Sequence, residues 1–111
     1  MNYSNSRAAK SKQDQPWHLC LFVARGSAAS ATAIIQLRRI AAEYLPANSV
    51  VEVIDLYDEP ERAESDQVLA IPTLVRKSPK PVRRVIGDLS DIQRVLTSIG
   101  FVLDRSGVSL S

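Results

Sequence analysis

Few side chains in this sequence have the type and spacing that chemistry requires. Ser27 and Ser30 stand with the spacing of a CxxC pair, Ser27-Ala28-Ala29-Ser30, at the foot of a helically periodic stretch. A thiol-redox enzyme needs a cysteine there, where a helix N-terminus lowers its pKa. Serine has no such chemistry, so disulfide exchange is excluded at that place. Cys20 is the only cysteine and His18 the only histidine, both in one short apolar run. They read as core packing and a structural histidine. No intrachain disulfide can form, and a structural zinc site would have at most Cys20 and His18. No Ser/His/Asp set assembles. Gly26, Gly87, Gly100 and Gly107 are scattered, so no glycine-rich loop cradles a phosphate. The acidic run 58–66 lacks the central glycine and ligand order of an EF-hand. No catalytic residue, cofactor or metal is expected.

The charge is sorted into blocks. Residues 52–66 hold Glu52, Asp55, Asp58, Glu59, Glu61, Glu64 and Asp66 against Arg62 alone. Residues 76–84 hold Arg76, Lys77, Lys80, Arg83 and Arg84 with no acid, within a net charge of +2. Such blocks suit electrostatic partner choice or pairing between subunits. No aromatic residue interleaves the basic run, so no base-stacking platform is visible and nucleic acid is not expected.

The elements that must position these residues follow from periodicity. The chain has 111 residues, 45% of them hydrophobic, which fits one domain with a modest core. Its apolar run Leu19–Ala24 is far short of the ~20 residues of a bilayer helix. The opening, MNYSNSRAAKSKQDQPW, has no apolar signal-peptide core, so export is not expected and the lone thiol suits a reducing, cytoplasmic compartment. Residues 1–15 read as a flexible arm, 16–104 as the domain and 105–111 as a short tail. Trp17–Ala24 is a buried strand. Ile34, Leu37, Ala41 and Tyr44 form one face of a helix that Ser27 or Ser30 caps and Pro46 ends. Val50–Leu56 is β-branched and nearly continuous, as in a buried parallel strand. Asp58 is a candidate cap for a short second helix with Pro60 in its first turn. Ile71–Val75 and Val82–Ile86 are strands around the turn Ser78-Pro79-Lys80-Pro81. Ser90 to Gln93 reads as a capping box, with Leu89, Ile92, Leu96 and Ile99 behind it and Gly100 as the stop. The order βαβ, short helix, two strands and helix is the thioredoxin arrangement, an α/β fold with helices on both faces of a mixed sheet.

Particular residues also carry a family resemblance. Leu21-Phe22-Val23-Ala24, Val53-Ile54-Asp55-Leu56, Ala70-Ile71-Pro72-Thr73-Leu74 and above all Pro81-Val82-Arg83-Arg84-Val85-Ile86-Gly87-Asp88-Leu89-Ser90 resemble the KaiB family of circadian clock proteins. The resemblance runs from about Trp17 to Leu103. The sensor domain of the clock kinase SasA is a weaker match. The resemblance implies a non-catalytic, metamorphic protein. After the βαβ unit, its C-terminal half takes either the KaiB resting arrangement (βαββααβ), in a homo-oligomer such as a tetramer or dimer, or the thioredoxin arrangement (βαβαββα) as a monomer. The monomer would dock on a KaiC-type ATPase, with KaiA and a SasA-like kinase as further partners. It implies partner contact through Asp66, Gln67, Arg76, Arg83 and Arg84. The fold-switch hinge falls on Pro72, Pro79, Pro81, Gly87 and Asp88, with Asp88 a candidate cap of the last helix in one form. Ile71-Pro72-Thr73 also resembles the cis-proline loop of thioredoxins.

The sequence departs from the family at Thr32 and Gln67, where most members have arginine and lysine, and at Glu52, where most have lysine. The proline triplet is reduced to Pro79-Lys80-Pro81, and the acidic tail of cyanobacterial members is missing. A KaiB-like protein with a different signalling partner, or a SasA-like sensor module, is therefore the alternative function. A thiol enzyme or a nucleic-acid binder is a third class. The serines at 27 and 30 separate the first two from a thiol enzyme in one assay. The protein is expected not to reduce insulin disulfides in the presence of fresh reductant. Turnover above the protein-free rate that disappears in Cys20→Ser would overturn the non-enzymatic reading.

Overall fold

The computed structural model describes residues 15–101. The arm and tail boundaries expected at 15 and 105 therefore fall at or beyond its ends. The chain runs β1 (His18–Val23), α1 (Ala28–Tyr44), β2 (Val50–Asp55), α2 (Pro60–Ser65), β3 (Thr73–Ser78), β4 (Arg83–Ile86) and α3 (Ile92–Ser98). This is the thioredoxin arrangement of the two that the sequence left open. The sheet order is β2-β1-β3-β4. β1 pairs parallel with β2, and β3 is antiparallel to both β1 and β4.

Alternation along β1 divides the core in two. Leu19, Leu21 and Val23 face one side with Ala33, Leu37 and Ile40 of α1, Val95 and Leu96 of α3, and Ile99. Cys20 and Phe22 face the other side with Ile54, Val75 and Ala63 of α2. The period of two thus serves two helical layers of unequal strength. α2 is six residues long and buries only Ala63, whereas α1 buries Ser30, Ala33, Leu37 and Ile40.

Several local expectations shift. The buried stripe of α1 centres on Ala33, Leu37 and Ile40, with Ile34 and Tyr44 packed at its margin. β2 is parallel but not fully buried, with Val50 51% and Val53 41% exposed, because the sheet order leaves it at an edge. The third strand starts at Thr73 rather than Ile71 and runs to Ser78. Glu59, not Asp58, is the N-cap of α2 and makes no side-chain capping bond; Asp58 instead pairs with Arg25 at 3.2 Å. The last helix is capped by Asp91, whose Oδ1 accepts from Arg94 N at 3.1 Å, rather than by Ser90 or Asp88. Asp88 Oδ1 accepts from Ser90 N and Oγ, closing a turn ahead of the helix. The Ile71–Pro72 peptide is cis, as the resemblance to the thioredoxin loop implies, and so are Ser78–Pro79 and Lys80–Pro81.

The end of α3 is fixed most tightly. Gly100 N donates to Thr97 O and Phe101 N to Leu96 O, the paired bonds of a Schellman stop. Gly100 has φ +87°, and a Cβ there would stand 2.6 Å from Nη1 of Arg76. Arg76 is 1% exposed. Its Nη1 donates to Ile99 O and its Nη2 to Pro81 O, both at 2.6 Å, and its guanidinium lies 5.1 Å from the Trp17 ring centroid. Gly26 has the same φ of +87°, but a Cβ there would meet nothing within 4 Å. Gly26→Ala is therefore expected to cost only the left-handed backbone penalty, about 1 kcal/mol. Gly100→Ala adds a clash with a side chain that is bonded in place, for a total of about 3 kcal/mol. Urea midpoints of the two variants measure the difference; equal losses would mean that the Arg76 side chain yields freely.

Candidate functional site

The start of α1 is where a thiol enzyme of this fold would place its nucleophile. Here both serines serve the backbone. Ser27 is the N-cap, and its Oγ accepts from Ser30 N at 3.1 Å. Ser30 is buried, and its Oγ accepts from Ala24 N at 3.1 Å. The hydroxyls satisfy amides that the helix start and the end of β1 leave open.

The expected partner-binding residues separate into three environments. Asp66 closes α2, and its carboxylate forms an ion pair with Lys77. The Asp66 carbonyl accepts from Arg84 Nη2 at 2.8 Å. Gln67, next to it, is exposed and holds φ +58°, a left-handed conformation unusual for a residue with a side chain. Arg83 and Arg84 are exposed on β4, the sheet's other edge. Arg76 stands apart: buried against Trp17, it offers no guanidinium to a partner in this arrangement. Desolvation, then the neighbouring Arg83 charge, pushes its pKa down. The acidic and basic blocks, expected to face each other between subunits, meet within one chain at Asp66. Exposed apolar side chains lie on β4 and just before it, with Ile86 59% and Val82 40% exposed, and in the α2–β3 loop, where Leu69 is 94% exposed. Of the expected hinge residues, Pro72 is buried, and Gly87 donates its N–H to Pro72 O at 2.8 Å. Gly87 has φ +105°.

A polar cluster that sequence reasoning did not assemble lies on the α2 face. Parallel register places Cys20 beside Glu52. His18 Nε2 is 2.5 Å from Glu52 Oε2, and Cys20 Sγ is 3.6 Å from each of those two atoms. Arg62 of α2 donates through Nη1 to Glu52 Oε1 at 2.9 Å and through Nη2 to Oε2 at 3.4 Å. Arg62 also reaches Glu59 at 3.6 Å. The Arg62 and His18 hydrogen bonds hold the Glu52 carboxyl down at about 2. Burial, then the Glu52 charge, pushes the Cys20 thiol up to about 11. Without a metal the thiol is thus protonated at neutral pH and is no nucleophile. The signal available in the sequence was the pairing itself: residues 20 and 52 both point to the α2 side once the two strands run parallel.

The fold and the serine-filled helix start define a thioredoxin-like module that lacks the thioredoxin nucleophile. Solved structures share that fold. Mitochondrial thioredoxin 3 from Saccharomyces cerevisiae is 17% identical with a TM-score of 0.63, covering 78% of this chain and 79% of its own. The N-terminal domain of Synechococcus elongatus SasA is 26% identical with a TM-score of 0.59, covering 75% of this chain and 82% of its own. The KaiB domain model matches residues 20–101, and the chain belongs to the KaiB family. Circadian clock protein KaiB3 of Synechocystis sp. is 37% identical over 83% of this chain and 90% of its own. The circadian clock oscillator protein KaiB of Prochlorococcus marinus strain MIT 9312 is 41% identical over 78% of this chain and 83% of its own. The family is one of clock regulatory proteins rather than enzymes, and this chain is a member of it. Among the described residues no helix is long and apolar enough to cross a membrane.

The low Glu52 pKa carries a pH dependence of definite sign. A carboxyl depressed from its ordinary ~4.3 stabilises the fold fully above that value and loses its contribution as pH falls through the folded pKa. About a third of the side chain is in water, which screens the pair, so the contribution at pH 7 is about 1 kcal/mol. In metal-free buffer, the stability gap between wild type and Glu52→Gln is expected to be level above about pH 5 and to close by about pH 2. Urea titrations across that window measure it; a gap that does not change with pH would mean the Glu52 ion pairs contribute nothing.

Proposed function

We propose that this protein is a non-catalytic regulatory module that docks on a KaiC-type ATPase and modulates its phosphorylation or signalling, in a clock or in stress adaptation. The observation that carries the proposal is the β4 edge. An exposed strand end, apolar Val82 and Ile86, bare Leu69, and Arg84 fixed on the Asp66 carbonyl form a mixed apolar and basic surface. Such a surface, with unpaired edge amides, suits docking of a protein partner. KaiB membership supports the clock assignment, and the likeness to the SasA sensor domain supports competition with a SasA-like kinase for the same ATPase. KaiA is a further partner in this proposal. The docking residues proposed are Asp66, Gln67, Arg83 and Arg84, with Arg76 bracing the turn that leads into β4 through the Pro81 carbonyl.

The proposal extends to form and place. The thioredoxin arrangement is the binding form, and a homo-oligomer, tetramer or dimer, is the resting form. Gly87 and Asp88 are the joint between them, since Gly87 meets nothing within 4 Å of its missing Cβ and is needed for its φ of +105° alone. Pro72, Pro79 and Pro81 border the rearranging half. Residues 16–104 form the domain, residues 1–15 and 105–111 are its arm and tail, and the protein acts in the cytoplasm without a cofactor for docking.

Binding of the full chain to the same organism's KaiC-type ATPase, measured in each nucleotide state, tests this reading. Wild type is expected to bind. Leu69→Glu and Arg84→Glu are expected to weaken binding at least about tenfold without loss of fold. A folded wild type that binds in no nucleotide state would overturn it and leave the reading of a different signalling partner.

A further inference from the structure

His18, Cys20 and Glu52 bring one nitrogen, one sulfur and one oxygen to a common point, with all three atoms within 4.8 Å of one another. We infer that these three side chains form a site for a thiophilic divalent cation of the zinc class, independent of the docking surface.

Geometry supports the inference. Zinc bonds of ~2.3 Å to sulfur and ~2.0 Å to nitrogen or oxygen, at tetrahedral angles, set ligand edges of about 3.5 Å from sulfur to its neighbours. The Cys20 Sγ distances to His18 Nε2 and Glu52 Oε2 are both 3.6 Å. Only the His18–Glu52 edge must open, from 2.5 Å to about 3.3 Å. The side chains on that edge are 34% and 32% exposed, which leaves them room to rotate and gives an ion an entry path. Cys20 itself is buried and comes from a strand paired on both sides, so the sulfur is fixed. A thiolate, an imidazole and a carboxylate favour zinc, cobalt, nickel or copper over magnesium and calcium. Three protein ligands leave one position for water or an exchangeable group. Binding displaces the Cys20 proton to solvent, and the resulting thiolate with the Glu52 carboxylate balances the charge of a divalent ion.

A cation already stands at this point. Arg62 places its guanidinium on both Glu52 oxygens and sets Nη2 4.0 Å from Cys20 Sγ. Lys77 is the other nearby positive group and is held by Asp66. An incoming ion competes with Arg62 for Glu52 Oε2. Arg62 also ties α2 to β2, so loading the site would weaken that tie at Oε2 and leave its 2.9 Å bond to Oε1.

Cobalt is the probe, because a thiolate ligand gives a near-ultraviolet charge-transfer band and tetrahedral geometry gives intense visible bands. The chain has one cysteine and one histidine, so the band reports Cys20 directly. Reduced, full-length protein titrated with cobalt is expected to take up one ion per chain, with both sets of bands, and zinc should displace it. Cys20→Ser should abolish the charge-transfer band. Glu52→Gln, at a half-exposed position that keeps the fold, should weaken affinity at least about tenfold. Arg62→Gln keeps an amide donor but removes the charge, and should tighten binding at least about tenfold. Absence of the charge-transfer band with folded wild type at millimolar cobalt would overturn the inference. So would one ion per two chains, which would place the thiolates of two copies on one metal, or affinities unmoved by Glu52→Gln and Arg62→Gln.

Discussion

The buried guanidinium of Arg76 is the constraint on which the larger half of the core depends. It comes from the middle of β3, lies against Trp17 at the entry to β1, and bonds the carbonyls of Ile99 and Pro81. Trp17, β3 with the turn after it, and the end of α3 are far apart in sequence, and one planar fork closes them together. Among the described residues no carboxylate pairs with it, and its Nε has no hydrogen-bond partner. A buried charge of this kind does not add stability as an apolar residue of equal size would. What it adds is geometry. The two carbonyls it bonds are left open by a helix end and by a turn, and no apolar side chain would satisfy them. Gly100 follows from the same demand, since a side chain there would fall on Nη1.

The two faces of the sheet are held by different means. The α1 and α3 face is closed by aliphatic packing, with Trp17, Tyr44 and Phe101 sealing one end at ring distances of 5.5 and 5.9 Å. The α2 face is closed by Ala63 and by Arg62 on Glu52. Ion pairs open to water contribute little and respond to salt and pH. Helix α2 is therefore the element most easily released, and it leads into the loop through Gln67 and Leu69 that the docking proposal uses. Weak anchoring and the proposed partner contact fall on the same stretch of chain, which is where local opening has the lowest cost.

The fold was largely legible because it rests on periodicity. The short continuous apolar run of β1 and the helical period of α1 are both clear, and the βαβ order limits topology to few choices. Which of the two arrangements implied by the resemblance the C-terminal half adopts was not legible from its residues. The errors have one physical source. Caps and edges depend on neighbours: Asp58 could cap α2 by type but is drawn to Arg25, and β2 reads as buried by composition but has a sheet partner on one side only. Arg76 was misplaced for the same reason. In sequence it belongs to a basic run, and only the register Leu19 to Arg76 turns it inward beside Trp17. The His18, Cys20 and Glu52 cluster was missed because its third member lies across a parallel pairing, 32 residues from Cys20.

What the molecule keeps and what it discards from the thioredoxin plan can be argued from two serines. A thiolate at the start of α1 would need the helix amides to stabilise its charge. Ser27 and Ser30 use those amides, and the amide of Ala24, as hydrogen-bond donors to neutral hydroxyls. The helix start is thereby capped without an ionisable nucleophile. The sole thiol has moved to mid-strand, where burial and Glu52 hold it protonated. What an edge strand then offers is backbone and apolar contact, on which the proposed docking rests, rather than bond-breaking.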